Sequence, residues 1–289
     1  MKRDVYTLNS FAKTAGGGNP AGVVMDADGL TEAEMAAIAA AVGFSETAFV
    51  MQSDVADFKV RFFTPNEEVD LCGHATIAAF SAMACLNLLK PGTYEQETKA
   101  GLLGIEIHED NFVLMDQSAP LFSEVIDKGE IADSLNIDTS QIVADLAVQV
   151  VSTGLRDIMV PVVSNEVLDA ITPDWEKVKE ISRKYHTVGY HVFSLTSAQG
   201  THARCRNFAP LYGIPEESAT GTSNGALACY LYQYGKVDEE QAGHLVFEQG
   251  YSMQRPSEIR ACLTLEENEI SEVKVGGKAM NLALMELEL

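Results

Sequence analysis

Positive charge is scarce: only 20 lysines and arginines face 42 aspartates and glutamates, a formal net charge of −22. A surface that negative repels phosphate backbones instead of displacing their counterions, which excludes nucleic acid as a partner and disfavours anionic membranes. Cysteine is sparse too. Cys72, Cys85, Cys205, Cys229 and Cys262 are odd in number and scattered, and they form no C-x-x-C pair. Neither a disulfide framework nor a zinc ribbon is implied, and a reducing cytoplasm fits. No stretch reaches the about 18 apolar residues of a membrane span, and the segment Met1 to Leu8 lacks the apolar core of a signal peptide. A small molecule is the partner class that remains, for a soluble cytoplasmic protein.

What is present suffices to fold without staples. The chain has 289 residues, 46% apolar and 21% charged, and at about 150 residues per domain its length predicts two domains. Short strand-like runs bounded by Gly, Pro, Asn and Asp dominate: Val5 to Phe11, Ala21 to Met25, Ala48 to Met51, Phe58 to Phe63, Gly104 to His108, Phe112 to Met115, Asp157 to Val163 and His191 to Leu195. Leu30-Thr31-Glu32-Ala33-Glu34-Met35 reads as a hydrophobic staple plus capping box, opening a helix that stops near Gly43. Thr172-Pro173 opens an amphipathic, peripheral helix running towards Tyr185, with Pro173 in the first helical position.

Two other segments, Gly73 to Leu89 and Gly221 to Tyr234, carry almost no charge and many small residues, so they predict helices buried all round. Each follows a similar approach, Arg61-Phe62-Phe63-Thr64-Pro65 and Arg206-Asn207-Phe208-Ala209-Pro210, 145 positions apart. An R-x-F-x-P match alone is weak; followed in both halves by a glycine-opened, small-residue helix, it marks an internal duplication. The predicted architecture is α+β, with two pseudo-symmetric domains, each a curved, mostly antiparallel sheet wrapped around one buried helix. The boundaries are 1–118 and 119–276, with a strand at about 277–289 returning to the first domain. If the copies face each other, the amino ends of both helices converge on one cleft, a favoured place for a ligand.

Three places offer chemistry. Cys72-Gly73-His74 puts an imidazole on the first turn of a buried helix, where the positive end lowers its pKa and keeps it neutral near pH 7. The ordinary alternative is a packed histidine bonded to a carbonyl. Glu216 to Asn224 surrounds Gly221 with hydroxyls and amides. A carboxylate-bearing ligand is expected between Gly73-His74 and Gly221-Thr222, against the plain alternative of N-capping by Thr220 or Thr222. Glu46, between Phe44 and Ala48-Phe49, is expected to be partly desolvated, which raises its pKa and suits acid and base work. A solvated charge at a strand end is the commoner case. Cys72-x-His74 is a poor metal site without further ligands at usable spacing. His108, His186, His191, His202 and His244 form no motif.

Four segments together resemble the PhzF-like family of phenazine-biosynthesis isomerases, which share the diaminopimelate epimerase fold: Asn19-Pro20-Ala21-Gly22-Val23-Val24, Ser45-Glu46-Thr47-Ala48-Phe49, Phe63-Thr64-Pro65 to Cys72-Gly73-His74-Ala75-Thr76, and Glu216 to Thr222. Thr153-Gly154-Leu155-Arg156 and Glu248-Gln249-Gly250 also look like family segments. The resemblance implies an isomerase without cofactor or metal, a homodimer, and a site between the domains. It assigns Glu46 as proton shuttle, with His74, Glu217 and Thr222 in the catalytic set and Asn19, Cys72, Gly73, Thr220 and Gly221 binding substrate. Two departures stand out: the family's Asp-Pro is here Glu217-Ser218, and its final Ser is Thr222.

The expected reaction is transfer of a proton from one carbon of a small carboxylic acid to another by Glu46. His74 and Thr222 orient the substrate, and the amides of Gly73 and Gly221 hold its carboxylate. Two rivals stay open: an amino-acid epimerase or racemase dependent on Cys72, although Thr220 occupies the place of a second thiol, and a non-catalytic binding or interaction module on the same fold.

Overall fold

A computed structural model describes residues 2–195 and 200–288. The chain divides into two compact units, Met1–Asp116 with Gly276–Leu289, and Gln117–Val275. In the first unit, Lys2–Ser10 pairs antiparallel with both Ala279–Glu288 and Asn19–Val24. Next come Thr47–Met51, parallel to Asn19–Val24, and Phe58–Phe63, antiparallel to Thr47–Met51. Gly92–Thr98 lies parallel to Phe58–Phe63, followed by the antiparallel strands Gly101–Ile107 and Val113–Asp116. The helix Gly73–Cys85 touches strands at both ends of this order, Ala279–Glu288 and Val113–Asp116, as well as strands between them. A sheet whose two ends meet one helix must curl around it. That explains why His74 to Ala84 are all buried and why the segment has no polar stripe.

The second unit repeats the pattern. Val148–Ser152 is antiparallel to Arg156–Val162, which is parallel to Gly189–Ser194; Ala203–Ala209 follows antiparallel. Leu245–Gln249 then lies parallel to Ala203–Ala209, and Ser257–Glu266 returns antiparallel. This is the order and direction of the corresponding strands in the first unit. Its helix, Gly221–Gln233, is buried from Gly221 to Leu231.

The repeated R-x-F motif has a structural purpose in both copies. Arg61 forms a two-pronged pair with Glu68 (2.7 Å each) and lies 5.2 Å from the Phe63 ring centroid. Arg206 does the same with Glu216 (2.9 Å each) and Phe208 (4.8 Å). Alternate residues of a strand share a face, so Arg and Phe two apart can stack, while the planar guanidinium matches a carboxylate fork. Each pair pins a short strand, Glu68–Val69 or Ile214–Glu217, leading towards a central helix.

Local signals fared unevenly. The capping box at Thr31 and Glu34 is formed in both directions, and the helix Glu32–Val42 ends at Gly43 with φ 72°. The peripheral helix spans Trp175–Lys184 instead of starting at Thr172: Asp174 caps it by accepting from the amides of Glu176 and Lys177, so Pro173 lies outside. A carboxylate that satisfies two free amides sets the start more strongly than a proline's fixed φ. The first central helix stops at Cys85, with Asn87 turning at φ 59°, and does not reach Leu89. Among the described residues no helix is long and apolar enough to cross a membrane.

Candidate active site

The first unit brings Glu46, Cys72 and His74 together. Glu46 stands in the link between the helix Glu32–Val42 and the strand Thr47–Met51; Cys72 is the N-cap residue of the central helix, and His74 lies in its first turn. His74 Nε2 is 3.2 Å from Glu46 Oε2, and their side chains are only 5% and 12% exposed. Cys72 Sγ is 3.4 Å from His74 Nδ1, and Ser45 Oγ is 3.4 Å from His74 Nε2. Two further bonds hold the turn: Ser10 Oγ donates to the His74 carbonyl at 2.6 Å, and Thr76 Oγ1 donates to the Cys72 carbonyl at 2.9 Å. Asn19 is buried directly across the ladder from Ser10.

The charges differ from those expected of the sequence. Burial pushes the Glu46 carboxyl up, but the charge of His74 and hydrogen bonds from His74 and Ser45 outweigh it, so it titrates below the ordinary glutamate range. Burial pulls His74 down, yet Cys72 and Glu46 hold it well above the usual histidine value. Burial, with the Glu46 charge, raises the Cys72 thiol. Glu46 is therefore the acid of the three that ionises first. His74 beside it favours its protonated form, and the Cys72 thiol resists ionisation.

A raised Glu46 and a neutral His74 are thus both corrected. A helix end is worth about 0.3–1 kcal/mol, whereas unit charges 3.2 Å apart attract by roughly 5 kcal/mol at an effective dielectric of about 20. The expectation that Cys72-x-His74 lacks further ligands is also corrected. Glu46, distant in sequence, adds a third donor, and one ligand atom from each of the three lies within 4.8 Å of the others.

The pair has a measurable consequence. In His74→Gln the carboxyl keeps its burial but loses its cation, so its pKa is expected to rise above the ordinary glutamate range. A carboxyl ¹³C NMR titration of Glu46 checks this; an unmoved midpoint contradicts the pairing. With His74 present, the carboxylate form persists at every pH above its lowered midpoint.

In the second unit, Glu217 ends the short strand and Thr220 holds the N-cap position of the central helix. Thr220 does not cap. Its hydroxyl donates in a short bond to the Glu217 carboxylate, which corrects the capping alternative: a charged acceptor next door outcompetes the helix amides. Gln249 ties the turn together, donating to the Glu217 carbonyl (2.8 Å) and Thr220 Oγ1 (3.1 Å) while accepting from the Thr220 amide (3.2 Å) and from Asn224 Nδ2 (2.9 Å). Gly221 and Thr222 are buried, and Thr153 Oγ1 donates to the Thr222 carbonyl at 3.1 Å.

Residue patterns alone give no role to Gln249, Ser45 or Asp157. Asp157 is buried and accepts from Ser223 Oγ at 2.5 Å, while Asn207 Nδ2 reaches Ser223 Oγ (3.1 Å) and His191 Nδ1 (3.3 Å). Burial, aided by Glu217 and opposed by Ser223, pushes Asp157 up to about 7. Burial also drives His191 down to about 3, so it is neutral. Adjacency to the Thr153-Gly154 segment is the one sequence signal for Asp157.

Comparison with known proteins bears on the arrangement. The family described as phenazine biosynthesis-like protein (PhzC-PhzF) matches residues 8–284. An uncharacterized isomerase of Clostridium acetobutylicum is 36% identical, over 100% of this chain and 99% of its own. A trans-2,3-dihydro-3-hydroxyanthranilate isomerase of Pseudomonas fluorescens is 27% identical over 94% and 95%. The crystal structure of a PhzF-family phenazine biosynthesis protein from Bacillus anthracis superposes with a TM-score of 0.92 at 31% identity, covering all of both chains, and fixes the fold as the one implied by the sequence resemblance.

Proposed function

Because the chain belongs to the phenazine biosynthesis-like (PhzF) family, whose relatives include named isomerases, we propose that it moves a proton between two carbons of a small cyclic or unsaturated carboxylic acid, with Glu46 as the shuttling group. The observation that carries this is the buried Glu46–His74 pair at 3.2 Å. The lowered titration of Glu46 keeps it ionised and free to accept a proton, though as a weaker base than a free carboxylate, and the adjacent His74 cation offsets this by stabilising the negative charge that develops on the substrate. Glu46 takes the proton as a C–H bond breaks, and the electron pair spreads into the conjugated acid. The proton returns to a different carbon, so the double bond shifts and nothing is oxidised or reduced. Base and stabilising charge both come from the chain, so the reading calls for no cofactor.

Glu217, Thr220, Gly221 and Thr222 enter through their chemistry: two amides and a hydroxyl suited to a carboxylate, and an acid held by Thr220. Replacing Thr222 by Val keeps the shape and removes the hydroxyl. It is expected to raise KM about tenfold, the worth of one lost hydrogen bond of about 1 kcal/mol or slightly more. An unchanged KM takes Thr222 out of substrate binding. The reading includes a cytoplasmic homodimer, and light scattering at the mass of one chain would remove the dimer.

The deciding experiment is a screen of small carboxylic acids in D₂O followed by NMR. Deuterium at a new carbon with migration of the double bond supports the proposal. Deuterium at a stereocentre without migration, lost in Cys72→Ser, favours the epimerase, which the 3.4 Å approach of Cys72 to His74 keeps in view. Binding without any exchange means a non-catalytic module.

A further inference from the structure

We propose that Glu46, Cys72 and His74 also form a reversible inhibitory site for zinc or a similarly thiophilic divalent cation. Binding rests on the geometry of these donors, and only its inhibitory consequence rests on the role proposed for Glu46. The set contains one sulfur, one imidazole nitrogen and one carboxylate oxygen, all mutually within 4.8 Å. Catalytic zinc sites take three protein ligands and leave a fourth position open. Zinc–ligand bonds of about 2.0–2.3 Å place tetrahedral donors about 3.4–3.6 Å apart. His74 Nε2 lies 3.2 Å from Glu46 Oε2 and 4.0 Å from Cys72 Sγ. The remaining separation, Cys72 sulfur to Glu46 oxygen, is within 4.8 Å, so shifts of roughly 1 Å would close the site.

The donor types choose the metal. A single oxygen is too few for magnesium or calcium, which take six or more oxygen ligands, whereas a thiolate with an imidazole suits zinc and cobalt. Binding frees one proton from the Cys72 thiol and one from His74, leaving two anionic ligands and a neutral imidazole around a dication. The net charge of −22 favours cation entry by raising the local cation concentration. A metal seated there engages the carboxylate that the proposed reaction uses, so zinc should stop the reaction and a chelator should restore it.

Cobalt(II) titration of the whole purified chain tests binding without reference to activity. The expected spectrum shows a thiolate-to-cobalt charge-transfer band and the intense visible bands of four-coordinate cobalt. Cys72→Ser should abolish the charge-transfer band, whereas replacing the non-buried Cys85 or Cys262 should leave it. Glu46→Gln keeps sulfur and imidazole, so it should retain the band while weakening affinity by at least the about 10–100-fold typical of losing even an outer-shell partner. It also covers the case in which Cys72→Ser does not fold. Absence of the band, its survival in Cys72→Ser, or undiminished affinity in Glu46→Gln would overturn the site. If the band forms but no acid exchanges deuterium, the isomerase reading fails and the metal site stands. Exchange without the band overturns the metal site and leaves the isomerase reading in place.

Discussion

Glu46→Gln is expected to slow proton transfer by about 10²–10⁴-fold, the usual worth of a positioned acid or base, while leaving KM within a few-fold. The amide keeps the shape of the side chain but cannot accept the substrate proton. Stranding a buried charge ordinarily costs about 3–5 kcal/mol. Here the stranded group is an imidazolium that can release its proton once the carboxylate is gone, so the fold should lose far less. Deuterium-exchange kinetics and a thermal melt of the variant check both halves. Exchange within tenfold of wild type would take Glu46 out of the chemistry.

The second large effect concerns stability. Asp157 titrates at about 7 in the fold, against 3.8 for an unperturbed carboxyl. Between these values the folded chain holds a proton that the unfolded chain has released. The contribution of this group therefore falls as pH rises towards about 7 and levels off above. At about 1.4 kcal/mol per unit, the loss between pH 5 and pH 8 is about 3 kcal/mol. Asp157→Asn removes the titration, so its stability relative to wild type should improve by about that much over the same interval. Denaturant unfolding of both proteins at the two pH values measures it; parallel pH dependence would show that Asp157 is not protonated in the fold.

Legibility of the sequence followed how local each cause was. The capping box at Thr31 involves neighbours only, and the central helices declare themselves by composition because a sheet covering them on every side tolerates no charge. The repeated arginine was visible as a duplication, but its partners Glu68 and Glu216 belong to folded geometry. Strands such as Gly92–Thr98, with Glu95 and Glu97 among their residues, hid because one face meets solvent and their parallel partner Phe58–Phe63 is distant, although the antiparallel partner Gly101–Ile107 follows directly. At the site, the residue types were readable in order, yet their protonation was not. The sign of the His74 shift depends on the buried Cys72 and on Glu46, 28 positions away, and the bond from Thr220 to Glu217 replaces a cap that composition favours. Asp157 and His191 carry no motif; burial is the main thing that makes them unusual.

The central claim is that one carboxylate lifts a proton from one carbon and sets it down on another. A substrate deuterated at the donor carbon, turned over once in ordinary water, tests it most directly. A shielded single base returns part of that label to the acceptor carbon of the same molecule, and Glu46→Gln should abolish this transfer. Inversion at the labelled carbon with the double bond unmoved, or undiminished label transfer in Glu46→Gln, would contradict the account.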